Sequence, residues 1–206
     1  MNLNLTPLSY DWLMARAKNP EDDLARAFAS VIPAVLKGNI LPPNLGMGLS
    51  RDKFAELLEC YFPGSSGEIF DVRFEEAYSA NVSPLASEFE DMVSLLLEYC
   101  TGDAESNVWL AHAVASGCMG SDHLYHDMGL LDRRTLSALL ERYFTGLFLK
   151  NVSNMKWKKF FYKQLCDRAD VIMCPARNCQ SCVDYKNCFA SEEAVPVLVM
   201  EEETIH

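Results

Sequence analysis

The sequence contains no run of about 18 apolar residues, which excludes a membrane-spanning helix of ordinary length. Basic residues are few: 18 Lys and Arg stand against 29 Asp and Glu, a formal charge of −11. That balance excludes a protein that coats nucleic acid with its whole surface. A glycine-rich phosphate loop, a nucleophile elbow and an H-E-x-x-H zinc helix are all missing. No turnover of an organic substrate is therefore expected, and the chain reads as a non-enzyme. Met1 to Asp11 hold no Lys or Arg ahead of an apolar stretch, so no secretory signal is expected and the location reads as cytoplasmic. Period-two alternation is also lacking, which argues against a sheet, and no internal repeat is visible.

What is present suits one globular domain. The 206 residues are 50% hydrophobic and 11% aromatic, enough to bury a core, and 23% charged, too few for global disorder. The charge is uneven. Between Asp132 and Cys188 there are 11 basic and 5 acidic residues, against 7 and 24 in the rest. The acidic body thus carries a basic C-terminal third that can attract an anion.

Helical spacing dominates the apolar pattern. Leu24, Phe28, Val31 and Leu36 predict a helix over 22–37, interrupted or kinked at Pro33. Gly38 to Gly48 reads as a loop. Ser50 caps a helix with Phe54, Leu57, Leu58 and Tyr61 inward, stopped by Pro63-Gly64. A short helix is expected at 68–79. Ser83-Pro84 opens another, burying Leu85, Phe89, Met92, Leu96 and Tyr99. A helix over 104–116 and a glycine-punctuated connection from Gly117 to Gly129 follow. Asp132 then caps a helix running through Leu136, Leu139, Leu140, Tyr143, Phe144 and Leu147. The last helix covers 154–169, with Trp157, Phe160, Phe161 and Leu165 inward and Lys156, Lys158, Lys159 and Lys163 mostly outward. The expected fold is all-α: a helical body over 1–173, its first 20 residues weakly patterned, a cysteine-rich metal-binding loop at 174–190 and an acidic tail at 191–206.

Four of the eight cysteines fall in that loop, spaced Cys174-x4-Cys179-x2-Cys182-x5-Cys188. Clustering in a reducing compartment points to metal rather than disulfides. Zinc takes four thiolates, but usually as two close pairs a dozen or more residues apart, and these gaps are too even for that. An iron–sulfur cluster of the 3Fe-4S or 4Fe-4S type fits such short gaps better, and the first three cysteines follow the C-x4-C-x2-C run of plant-type ferredoxins. Arg177, Lys186 and the lysines of the preceding helix can offset the charge of a thiolate–sulfide cluster, although a solvated helix face accounts for those lysines equally well.

Three segments together resemble the NifQ family. They are Cys118-Met-Gly-Ser-Asp-His123-Leu-Tyr-His-Asp127-Met-Gly-Leu130, the basic aromatic helix Met155 to Cys166 ending in Lys-Gln-Leu-Cys, and the cysteine run itself. They span about a third of the chain, with Tyr125 where the family has Trp and Met128 where it has Leu. The resemblance implies a carrier of molybdenum on an iron–sulfur cluster, supplying the iron–molybdenum cofactor of nitrogenase. The implied partners are the cofactor-assembly scaffold complex, the nitrogenase iron protein and molybdate. A cuboidal cluster missing one corner presents soft sulfides to a thiophilic metal. Three of Cys174, Cys179, Cys182 and Cys188 would hold iron, and the sequence does not say which is the odd one.

Cys118, His123 and Asp127 form a second group. If 123–127 is helical, His123 and Asp127 share a face, as a ligand and its orienting carboxylate would. The same pair reads as a helix cap or interhelical tie, and Cys118 as core filling. The resemblance narrows that gap, since all three fall on the family's motif. His126 is expected to look outward, His112 to be a satisfied packing residue, and Cys166 to be a buried thiol or a neighbour of the cluster. Lys156, Lys158, Lys159 and Lys163 suggest a route of attraction for molybdate.

Three rival readings stay open on the residues alone. A helical [4Fe-4S] DNA-repair glycosylase carries C-x6-C-x2-C-x5-C, two residues different in the first gap, but the glycine-rich hairpin and the Lys–Asp pair of such enzymes are missing here. A small electron-transfer module and a zinc-stabilised interaction domain are the others.

Overall fold

The computed structural model describes residues 8–38, 40, 42, 44–70, 86–170 and 185–189. Among these the secondary structure is helical, with no strand. No described helix is long and apolar enough to cross a membrane.

The N-terminal half follows its caps. Helix α1 (Tyr10–Met14) starts at Ser9, and α2 (Asp23–Leu36) at Asp22, whose carboxylate accepts the Leu24 N–H at 2.9 Å. Leu24, Phe28, Val31, Ile32 and Val35 are buried along α2. The expected interruption at Pro33 does not occur. Pro33 lies within α2, which continues through it to Leu36, and its carbonyl still accepts the Lys37 N–H at 3.0 Å. Helix α3 (Arg51–Tyr61) begins at Ser50, which accepts the Lys53 N–H, and buries Phe54, Leu57 and Leu58. Before it, Gly48 holds φ +75°, and a Cβ there would run into the Phe89 ring, so the loop needs glycine.

Helix α4 (Ala86–Glu98) buries Phe89, Met92, Leu95 and Leu96, and Tyr99 packs partly buried beyond its end. The expected Ser83-Pro84 start and Leu85 lie outside the described residues. So does most of the helix expected at 68–79, of which 66–70 is seen as helical. Helix α5 (Glu105–Cys118) is the centre of the body. It packs on both α2 and α4, and Trp109, Leu110, Ala111, Ala113, Val114 and Ala115 are all nearly inaccessible. A helix apolar on every side belongs in the interior.

The Gly117–Gly129 connection contains more than turns. Gly117 and Cys118 belong to α5, and a single-turn helix α6 (Leu124–Asp127) follows. Asp132 caps α7 (Arg133–Tyr143), accepting the Thr135 N–H at 2.8 Å and its hydroxyl at 2.9 Å. The single helix expected to run on through Leu147 is instead broken at Phe144 (φ −134°, ψ 47°), and α8 spans Thr145–Lys150. Tertiary contacts explain the break. The fully buried Phe144 turns into the core, the Tyr143 carbonyl is taken by the Thr101 N–H at 2.9 Å, and the Thr145 N–H goes to the Thr101 hydroxyl. Asn151 then closes a turn on Met155 through both ends of its amide. This turn delays α9 (Trp157–Arg168) past the expected Asn154. Trp157, Phe160 and Phe161 anchor α9, each worth about 1.5–3 kcal/mol of burial at this scale. The short α10 (Tyr185–Phe189) stacks Tyr185 on Phe189.

Candidate metal-handling site

Helix α5 delivers Cys118 to the edge of the core, where the chain folds back through Gly120 into α6. Asp127 locks this reversal. Its carboxylate accepts the Asp122 N–H at 2.9 Å and pairs with Lys158 of α9. Lys158 Nζ also donates to the Gly120 carbonyl at 2.9 Å. A Cβ at Gly120 would fall on the Asp127 carboxylate, so this tight packing needs glycine. The Lys158 and Asp127 side chains are only 15% and 10% exposed. Lys158 is therefore not outward as its helix spacing suggested: the carbonyl and carboxylate of the turn draw it inward. Desolvation offsets much of such a pair's attraction, and its main effect is to fix the turn against α9.

Between the turn and the first turn of α9 lies a pocket of about 480 Å³. Cys118, His123, Lys156, Lys158, Lys159 and Tyr162 contribute to its lining. Cys118 is 3% exposed, and burial pushes its thiol up to about 12 while Lys158 pulls the other way. It is thus both a core residue and a pocket wall, and it stays protonated in neutral solution. His123 occupies the N-cap of α6 in an extended conformation, half-buried, its ring stacked parallel to Tyr125 at 6.0 Å. Tyr162 donates its hydroxyl to Glu88 of α4, and burial followed by that carboxylate raises its pKa. Tyr162 was missed in the sequence, although it sits one turn after Lys158 on the same face.

The structure thus brings Cys118, His123, Lys156, Lys158 and Lys159 to one pocket, with Asp127 behind it as the partner of Lys158. Lys163 is not on that lining and pairs with Asp167 at 2.6 Å. Among the described residues no three His, Cys, Asp or Glu side chains gather as a metal-binding group. His126 is exposed, as expected. His112 is a packing residue, its Nδ1 2.9 Å from the Met47 carbonyl, with burial lowering its pKa. Cys166 is half-buried.

Of the cysteine run, Cys174, Cys179 and Cys182 lie outside the described residues, as does the acidic tail. Cys188 is placed. It is half-buried in α10, and its carbonyl accepts the Lys156 N–H at 2.8 Å. That bond joins the last cysteine of the run to the residue that opens α9 and lines the pocket.

Comparison with known proteins points to one family. The NifQ family model matches residues 27–190. Protein NifQ of Azotobacter vinelandii is 36% identical over 152 residues, covering 71% of this chain and 78% of that protein. Protein NifQ of Rhodobacter capsulatus is 31% identical over 183 residues, covering 83% of this chain and 97% of that protein. A NifQ homolog of Sinorhizobium fredii is 34% identical over 153 residues, 73% of this chain and 64% of that protein. No solved structure matches.

Proposed function

The chain belongs to the NifQ family, and on that premise we propose that it carries molybdenum on an iron–sulfur cluster and supplies it to nitrogenase cofactor assembly during nitrogen fixation. Cys174, Cys179, Cys182 and Cys188 would hold the cluster, a donor set of four closely spaced thiolates that suits iron and sulfide. When bound, such a group supplies soft sulfide donors to a thiophilic metal. The chain's own residues then do three things. The Lys156 N–H fixes the backbone at Cys188, so the end of the cysteine run is tied to a rigid helix. Lys156 and Lys159 place positive charge at the start of α9, which favours a negatively charged cargo. The Asp127–Lys158 pair holds the motif turn carrying His123 against the same helix.

The proposed role is that of a carrier and not a catalyst, and the proposed partners are the cofactor-assembly scaffold complex and the nitrogenase iron protein. The observation that most supports this reading is the bond from Lys156 to Cys188, which links the two motifs through the backbone. Quantifying iron, sulfide, molybdenum and zinc in anaerobically isolated protein tests it. Iron and sulfide are expected together and are expected to be lost in Cys179→Ser. A stoichiometric zinc ion without sulfide would replace the reading with a zinc-stabilised module.

A further inference from the structure

One edge of the molecule carries apolar side chains that the core does not use. Leu131 is 95% exposed, Val152 88% and Leu149 64%. A single exposed apolar residue is ordinary, so their placement decides what they mean. Leu131 stands between buried Leu130, whose N–H donates to the Tyr125 carbonyl at 2.8 Å, and Asp132, which caps α7. Val152 lies on the turn that Asn151 closes on Met155, just past Leu149 of α8. Arg133 joins the two segments. Its guanidinium donates to the Asn154 carbonyl at 3.3 Å, to the Asn154 Oδ1 at 2.9 Å and to the Met155 carbonyl at 2.9 Å. The apolar residues thus share an edge whose backbone is already held in place, and covering them costs little further ordering.

The charge around this edge says what covers it. From Leu131 to Lys159 the sequence has seven basic residues and two acidic ones, in a chain of formal charge −11. Of the two carboxylates, Asp132 is occupied by the Thr135 N–H and hydroxyl, and Glu141 lies farther along α7. Arg134, three residues after Leu131, and Lys150, two before Val152, are both exposed. Cations beside an apolar patch favour a partner surface of the opposite charge. The edge also runs into the candidate site. The turn ends at Met155, and the next residue, Lys156, is the one whose N–H is held by the Cys188 carbonyl. A partner seated on Leu131 and Val152 is therefore close to the last cysteine of the run.

We propose that the edge formed by Leu131, Leu149 and Val152 is the docking surface for the protein that receives the cargo, and that the receiving surface is acidic around an apolar centre. The proposal rests on the carrier reading and adds where on this chain the handover takes place. Leu131 and Val152 supply the central contacts, and Leu149 extends them along α8. Arg134 and Lys150 steer the encounter and set its orientation. Arg133 acts behind the surface, holding the two segments in register.

Biosensor titration of the full-length, anaerobically isolated protein against the immobilised cofactor-assembly scaffold complex and the nitrogenase iron protein tests this, with iron, sulfide and molybdenum measured on the same samples. The double variant Leu131→Ser/Val152→Ser is expected to bind its recipient about tenfold more weakly or worse at unchanged metal content. Both positions are exposed, so the variant is expected to fold as the wild type does. Tyr10→Ser, at an exposed aromatic on α1, is expected to match the wild type. Affinity is expected to fall as salt rises, and Arg134→Gln/Lys150→Gln to flatten that dependence. Undiminished binding by the Ser double variant, an equal loss in Tyr10→Ser, or no binding of the wild type to either protein would overturn the proposal. Sedimentation showing a wild-type dimer that the Ser double variant dissolves would give the edge to a second copy of this chain and overturn it as well. A wild-type protein without iron and sulfide would contradict the carrier reading, and the titration would still decide the edge.

Discussion

His112 and Cys118 stand six residues apart on the same helix, and α5 carries them into different surroundings. Around His112 the protein satisfies its own polar groups. The Met47 carbonyl can only accept, so Nδ1 carries the proton, and the ring packs 5.8 Å from Phe89. Around Cys118 the core stops, and the buried sulfur meets a pocket edged with lysine. The interior end of α5 was built for stability. Its C-terminal end was left open at a place where the chain also concentrates positive charge. Titratable groups in the first region are enclosed by the core, and those in the second face the pocket.

That contrast can be broken most forcefully from the interior. Phe28→Ala, at a fully buried position, is expected to cost about 3–5 kcal/mol of unfolding free energy, read from denaturant titration. A loss under about 1 kcal/mol would mean that the centre is not the packed region described. Asp127→Ala comes next. It leaves Lys158 nearly buried without its partner and frees the Asp122 N–H, so about 2–3 kcal/mol is expected to be lost. The loss should fall when Lys158 is changed to Met in the same chain, a coupling that a double-mutant cycle would measure.

Acidification should separate the two regions. His112 has its folded pKa below its unfolded value of about 6.5, so the unfolded state takes up the proton first. Its stabilising contribution is present above that value and is lost as pH falls through the folded pKa. Thermal midpoints measured from pH 7.5 down to 5 should therefore drop, and His112→Gln should flatten that part of the curve. A smaller effect belongs to the caps. Ser50→Ala is expected to cost about 1 kcal/mol, and a value near zero would show that α3 is set by packing alone. Smallest of all, Lys163→Gln should change stability by no more than about 0.5 kcal/mol, since its pair with Asp167 is on the surface.

Much of the fold was legible because helix ends carry local chemistry. Ser50 and Asp132 cap where their side chains predict, and Asp22 caps a helix whose expected start it marked. What the sequence hid was non-local. Nothing near Phe144 forbids a continuous helix; the break is imposed by Thr101, far away in the chain, which takes the Tyr143 carbonyl. Lys158 reads as a solvent-facing lysine until Asp127 and the Gly120 carbonyl are folded against it. The same holds at the site. Cys118, His123 and Asp127 were visible as a group through the family's motif, but their division of labour was not. Asp127 pairs with a lysine, and Cys118 and His123 line a pocket. Tyr162 was legible in principle from its helical register with Lys158. The bond from Lys156 to Cys188 was not, since it is made by backbone groups that carry no sequence signal.

X-ray absorption at the molybdenum edge, on protein isolated anaerobically from cells supplied with molybdate, reads the metal's neighbours directly. The account predicts sulfur in the first shell and iron beyond it, in protein whose iron and sulfide disappear together when Cys179 is changed to Ser. A shell of oxygen alone, or iron and sulfide with no molybdenum attached, would contradict it.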